Sequence, residues 1–229
     1  KWLAIFIEKN TRENLSCEFD TNNIIFQVIS KDANKDFLKN VPSRDFCDMS
    51  VIYRMLVDVD GDEIASTVIT NKLAETFGLD EESLYRYAYE NTRNVLGVKR
   101  CSIYDIITKT MVSSGVPEEV VDSVREEECL DNSFLVLTND KLMFGASMIL
   151  YSDELRKLSD EVGDDLYILP SSLHEVLLLP KFQCSVIGGV GYIRSMVSEV
   201  NSMCLTPEDK LTDNVYVYSR EQDMVTIAA

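Results

Sequence analysis

Asp165-Leu-Tyr-Ile-Leu-Pro-Ser-Ser-Leu-His-Glu-Val-Leu-Leu-Leu-Pro180 contains two apolar runs, residues 166–169 and 176–179, on either side of a Pro-Ser-Ser break. Short apolar runs separated by proline and serine are typical of two strands joined by a short connection. The stretch therefore predicts a β-hairpin, and its connection holds His174, the only histidine among 229 residues. Any imidazole chemistry near neutral pH would have to use this side chain.

Three further strand pairs are predicted outside this hairpin. They are residues 51–57 with 64–69, residues 133–138 with 142–150, and residues 215–218 with 224–227. The first pair surrounds an Asp60-Gly61 step and the second surrounds Asn139-Asp140, and both dipeptides are turn formers. Residues 24–29 form a further apolar run that we expect to be a strand.

Helical patterns fill most of the remaining chain. Thr70 can cap a helix over residues 71–77, and Asp80 can cap the next one, in which Leu84 and Ala88 recur at helical spacing. Further helices are predicted over residues 34–40, 102–113, 117–128, 153–162 and 192–203. Separate runs of strands and of helices favour an α+β fold in which antiparallel hairpins pack with helices. We expect one unit over residues 1–229, with a possible division into lobes 1–128 and 129–229 whose seam lies in the helical middle.

The chain is strongly acidic, with 39 Asp and Glu against 22 Lys and Arg and a formal net charge of −17. This charge repels phosphate backbones and anionic lipids, so direct binding of nucleic acid is not expected. An acidic surface could also imitate nucleic acid and bind a basic DNA-binding protein, which is the weakest of the functions considered. No run of 18 uncharged apolar residues is present, so no membrane-spanning helix is predicted.

The sequence predicts neither a metal site nor a cofactor. Six widely spaced cysteines, at positions 17, 47, 101, 129, 184 and 204, lack the close pairs of a structural zinc site and the density of a disulfide scaffold, so reduced thiols and a cytoplasmic location are expected. Asp58 begins a segment like a calcium loop, but Glu63 and Ile69 stand where glycine and a carboxylate are required. Gly188-Gly-Val-Gly191 matches neither common phosphate-binding pattern.

Candidate catalytic residues lie in the central connection: His174, Ser171 and Ser172. On an extended chain, at about 3.3 Å per residue, Ser171 and His174 lie about 10 Å apart, and His174 and Glu175 face opposite sides. None of them is therefore assigned a catalytic role, and the serines are expected to cap the turn after Pro170. Arg44 and Glu175 are candidate ligand-binding residues of a pocket near His174.

Several segments together resemble an uncharacterised bacterial protein family, a domain of unknown function. They are residues 34–46, 69–73, 84–92, 165–176 with the pattern D-L-Y-I-L-P-S-S-x-H-E-V, and 199–201. The resemblance implies an intracellular bacterial protein, and the further N-terminal extension of family members fits a chain that begins at Lys1. It implies no activity, cofactor or catalytic residue.

The function class favoured by the sequence is a non-enzymatic module that binds another protein inside the cell. Tyr85 and Tyr89, which share one helix face, could belong to such an interaction surface or to the core. The alternative is an enzyme or small-ligand-binding protein with a pocket around His174.

Overall fold

A computed structural model describes residues 19–60, 63–128, 134–170 and 172–228. In this part of the chain two antiparallel sheets pack with helices, which confirms the α+β class. The α-helices are α1 (Lys35–Leu38), α2 (Asn71–Thr76), α3 (Glu81–Leu96), α4 (Ile103–Ser113), α5 (Glu118–Glu128), α6 (Ser152–Val162), α7 (Lys181–Ile187) and α8 (Val190–Cys204), with 3₁₀ helices at Thr21–Asn23 and Gly145–Leu150.

The two predicted helix caps form as expected. The Thr70 hydroxyl oxygen accepts the Leu73 N–H at 3.2 Å, and an Asp80 carboxylate oxygen accepts the Ser83 N–H at 2.9 Å. Each bond satisfies a backbone donor that has no partner within its own helix. Local sequence therefore fixes where α2 and α3 begin.

The smaller sheet is built around one long strand. Its members are β1 (Ile24–Ser30), β2 (Ser43–Phe46), β3 (Met49–Asp60) and β4 (Glu63–Val68). One edge of β3 pairs with β1, and the other edge pairs first with β2 and then with β4. The predicted hairpin of residues 51–57 and 64–69 is confirmed, although its turn residues 61 and 62 lie outside the described residues.

Strand β1 lies at an edge of this sheet, and side chains cover that edge. The Phe26 N–H donates to the Thr92 hydroxyl of α3 at 2.9 Å, and the Val28 N–H donates to the Ser147 hydroxyl at 3.1 Å. Both hydroxyl residues are fully buried. Unpaired backbone donors at a buried edge would be costly, so Thr92 and Ser147 take the place of a further strand.

The larger sheet contains the central hairpin. Its strands are β5 (Lys99–Ser102), β6 (Leu135–Thr138), β7 (Leu166–Pro170), β8 (Val176–Pro180), β9 (Tyr216–Ser219) and β10 (Met224–Ile227), in the spatial order β10-β9-β7-β8-β6-β5. The pairing of β7 with β8, from Leu166 opposite Pro180 to Pro170 opposite Val176, confirms the hairpin predicted from residues 165–180. The predicted pair β9 and β10 is also confirmed.

The predicted second strand over residues 142–150 is wrong, because this segment forms a tight loop and a 3₁₀ helix. The Asn139 side chain accepts the Lys141 and Met143 N–H groups and donates to the Met143 carbonyl, which closes the loop. Gly145 then passes so close to β6 that a Cβ would lie 2.1 Å from the Thr138 hydroxyl. Strand β6 pairs instead with β5 and β8.

The central hairpin is buried on both faces, so it lies between two apolar layers. Leu166, Ile168, Val176 and Leu178 join the main core together with the smaller sheet, α3, α6 and the second 3₁₀ helix. Alternating residues of β7 and β8, including Leu169 and Leu179, form a second core with α7 and α8. Because successive strand residues point to opposite faces, one hairpin serves both cores.

Both halves of the chain contribute to the main core. Phe26 and Leu84 precede residue 128 and Leu155 and Tyr216 follow it, and strand β5 of the first half pairs with β6 of the second. Asp48 also joins the halves, since it accepts hydrogen bonds from three side chains, those of Thr212, Asn214 and Tyr216. The division into two lobes stays a prediction.

Candidate functional site

The connection between β7 and β8 is organised by Ser172. Its hydroxyl oxygen accepts the His174 N–H at 2.9 Å, and its hydroxyl group donates to a Glu175 carboxylate oxygen, Oε1, at 2.8 Å. The Ser172 N–H also donates to the Glu175 carbonyl at 3.3 Å. Ser172 therefore caps the turn, as expected for a serine after Pro170. Ser171 lies outside the described residues.

His174 is held by its main chain against β6 and by its ring against the loop that replaces the predicted strand. Its carbonyl accepts the Thr138 hydroxyl at 2.7 Å, and its ring stacks on Phe144 with 6.4 Å between ring centres. Nε2 lies 3.8 Å from an Asp209 carboxylate oxygen, which is too long for a hydrogen bond. Nδ1 is buried and has no hydrogen-bond partner within the described part of the chain.

These contacts do not form a catalytic relay in the described residues. The Ser172 hydroxyl hydrogen points to Glu175 and not to the imidazole, so Ser172 and His174 do not form a nucleophile–base pair. Glu175 lies on the α8 side of the sheet, whereas His174 lies against Phe144. Residues 173 and 174 form the bend of the connection, so the two side chains diverge at a turn and not along an extended chain.

Arg44 is tied to helix α3. Its Nε and Nη2 donate to the two carboxylate oxygens of Glu81 at 3.0 and 2.8 Å, and its guanidinium stacks 3.9 Å above the Tyr85 ring centre. The Tyr53 hydroxyl donates to the same Glu81 carboxylate, and burial together with this acceptor raises the pKa of Tyr53. The described side-chain hydrogen bonds of Arg44 thus lead to α3, and none is shared with His174.

The tyrosine stripe of α3 faces the core. Tyr85 packs on Phe26 with 5.2 Å between ring centres, and Tyr89 packs on Tyr151 at 4.8 Å. Tyr151 also donates its hydroxyl hydrogen to the Tyr89 carbonyl at 2.7 Å. Tyr85 and Tyr89 could have belonged to an interaction surface or to the core, and their contacts support the core.

A cavity of about 380 Å³ lies between α8 and the face of the larger sheet. It is lined by Ile103, Phe134, Val136, Leu169, Pro170, Glu175, Leu177, Met196, Val197, Val200 and Asn201. In this set Glu175 and Asn201 are the polar members. Glu175 reaches the cavity because it lies two positions before Leu177, on the same face of the extended chain. Apolar clefts of this size with a few polar groups are typical ligand sites.

Asn201 is the polar residue of this cavity that sequence reasoning missed. It is 2% exposed, and its Nδ2 donates to the Thr212 carbonyl at 2.9 Å and to an Asp213 carboxylate oxygen at 3.1 Å. A signal was present in the sequence, because Asn201 lies four residues after Val197, on the apolar face of its helix.

Helices α7 and α8 also carry an exposed apolar surface, which we call the α7–α8 surface. It consists of Phe182 (57% exposed), Val186 (86%), Tyr192 (57%) and Met203 (76%). Single exposed apolar residues are common, so it is the number of them on two consecutive helices that distinguishes this surface.

Comparison with known proteins identifies a family. The model of a family of unknown function, DUF5688, matches residues 7–220. The chain belongs to this family. Membership in DUF5688 confirms the predicted resemblance to a domain of unknown function, and it carries no activity with it. No curated protein and no solved structure matches the chain.

Within residues 19–60, 63–128, 134–170 and 172–228, no group of three or more His, Cys, Asp or Glu side chains could hold a metal ion. None of the described helices is long and apolar enough to cross a membrane. The described cysteines, at 47, 101, 184 and 204, are free thiols.

Proposed function

We propose that this member of DUF5688 is a non-catalytic module that binds another protein through its α7–α8 surface. The observation that carries the proposal is the exposure of four large apolar side chains on these two helices, Val186 and Met203 above all. Burying such side chains against a partner removes apolar area from water, and aromatic residues and methionine are enriched at interfaces.

We place this binding in the cytoplasm of a bacterium. The support is the resemblance of segments such as residues 165–176 to a bacterial family, together with the free thiols of the described cysteines. Free thiols, including the exposed Cys47, suit a reducing compartment.

The test compares a variant of the surface with a matched variant elsewhere. Val186→Asp combined with Met203→Asp places charge on the α7–α8 surface, and Val112→Asp makes the same change at an exposed position of α4. Proteins cross-linked from a lysate of the source bacterium should include at least one that the surface variant loses and the α4 variant keeps. Equal retention by both variants would refute the proposed surface. Far-UV circular dichroism verifies that each variant is folded.

A second candidate function is the binding of a small ligand, which the cavity under α8 favours. From the sequence we expected such a pocket around His174. In the structure the His174 ring stacks on Phe144, and it is Glu175 that lines the cavity. A ligand-binding function would therefore depend on Glu175.

A further inference from the structure

The cavity under α8 offers hydrogen-bond acceptors and no polar side-chain donor in its described lining. Both hydrogens of the Asn201 Nδ2 group are used by Thr212 and Asp213, so Oδ1 is the hydrogen-bonding atom that Asn201 has left. The Glu175 carboxylate is also an acceptor when it is ionised. A matching ligand must therefore supply the donors, and the negative carboxylate favours a positively charged one.

The Glu175 carboxylate is held in place before any ligand arrives. The buried Ser172 hydroxyl donates to Oε1 at 2.8 Å, and Ser172 is itself fixed by the His174 N–H at 2.9 Å. A group that is already ordered loses little conformational entropy on binding. Apolar walls such as Leu177 and Val197 strengthen the attraction, because charges interact more strongly where water is displaced.

We propose that this cavity binds a small cationic amine, with its apolar body between α8 and the sheet and its ammonium group at Glu175. At about 30 Å³ for a water-sized group, a cavity of about 380 Å³ accommodates on the order of a dozen non-hydrogen atoms. An aromatic or alkyl amine of this size fits the apolar walls. The amine is the ligand class of the second candidate function, small-ligand binding in this cavity, and the site rests on that function and not on the α7–α8 surface.

The experiment uses three probes of similar shape and different charge: phenylbutylamine, phenylbutanol and phenylbutyrate. In isothermal titration calorimetry of the wild-type chain, the amine should bind most tightly. The carboxylate should bind at least about tenfold more weakly than the amine, and the affinity of the alcohol should lie between them. Equal affinity for amine and carboxylate, or no detectable binding of the amine at millimolar concentration, would overturn the proposal.

Two charge variants distinguish the effect of Glu175 on amine binding from the effect of the net charge of −17. Glu175→Gln should remove the preference for the amine over the alcohol, whereas Glu199→Gln, at an exposed position of the same α8 helix, should retain it. If both variants lose the preference equally, the overall charge is responsible and the assignment to Glu175 is wrong.

Two further variants test the position of the site and its independence. Val200→Trp, at the half-exposed rim of the cavity, should weaken all three probes by filling the entrance, and unchanged binding would place the amine elsewhere. The double variant Val186→Asp, Met203→Asp should bind the amine like wild type. Loss of amine binding in that variant would mean that the two sites are one and would overturn the independent cavity.

Discussion

Replacing Thr92 by valine tests whether a hydroxyl group holds the edge of β1. The change keeps the β-branched shape and removes the acceptor of the Phe26 N–H, which lies 2.9 Å from Thr92 Oγ1 in a fully buried setting. Phe26 and Thr92 are both 0% exposed, so solvent has no direct access to the N–H group that loses its acceptor. A buried donor left unsatisfied costs about 1–3 kcal/mol, so the free energy of unfolding should fall by that amount.

Urea unfolding followed by circular dichroism measures this difference through the shift of the midpoint at an unchanged slope. In a thermal scan the same loss corresponds to about 2–4 °C per kcal/mol for a chain of this size. The matched control is Thr76→Val in α2, where an exposed hydroxyl donates to the Lys72 carbonyl at 2.8 Å. Loss of that exposed bond should change stability by no more than about 0.5 kcal/mol.

The reasoning is refuted if Thr92→Val costs no more than Thr76→Val. Ser147→Ala supplies an independent check, because it removes the acceptor of the Val28 N–H on the same edge. Hydrogen exchange should then show faster exchange at Phe26 in the first variant and at Val28 in the second.

Two further predictions concern other contacts. Burial raises the pKa of the Asp48 carboxyl group, but its three side-chain hydrogen bonds outweigh this effect and leave the pKa lowered. The stability that Asp48 contributes is therefore present above about pH 4 and is lost as the pH falls through the lowered pKa. The urea midpoint of wild type should exceed that of Asp48→Asn by more at about pH 6 than at about pH 3. An equal difference at both pH values would contradict this. Gly145→Ala would place a Cβ 2.1 Å from the Thr138 hydroxyl and 2.2 Å from the His174 carbonyl. It should therefore lower the free energy of unfolding by about 1–3 kcal/mol in the same urea assay. The control Gly191→Ala should not be destabilising, because its Cβ would meet nothing within 4 Å.

Local signals predicted the elements whose partners are close in sequence. The hairpins β3–β4, β7–β8 and β9–β10 follow from apolar runs around turn residues, and the caps Thr70 and Asp80 mark where two helices begin. The short strands β2 and β5 carry no such signal, since their four residues each become strands only by pairing with β3 and β6. The strand predicted over residues 142–150 was wrong because an apolar run does not indicate that the Asn139 side chain closes a loop there.

The cavity could not be predicted in the same way, because its walls come from distant parts of the chain. Ile103, Val136, Leu177 and Val200 belong to α4, β6, β8 and α8, and only the fold brings them together. Helical periodicity identifies Val200 as apolar-facing but cannot show that the space beside it is unfilled. A cavity is a property of packing and not of pattern.

The polar residues of the central connection have separable roles because the turn capped by Ser172 directs their side chains to different sides. Glu175 reaches the cavity beside Leu177, whereas His174 stacks on Phe144. Ser172 links the two, since it accepts from the backbone of one and donates to the carboxylate of the other. The order of Ser172, His174 and Glu175 in the sequence alone suggests a catalytic group. In the folded chain the serine instead positions the carboxylate, so a ligand role for Glu175 needs no chemistry from His174.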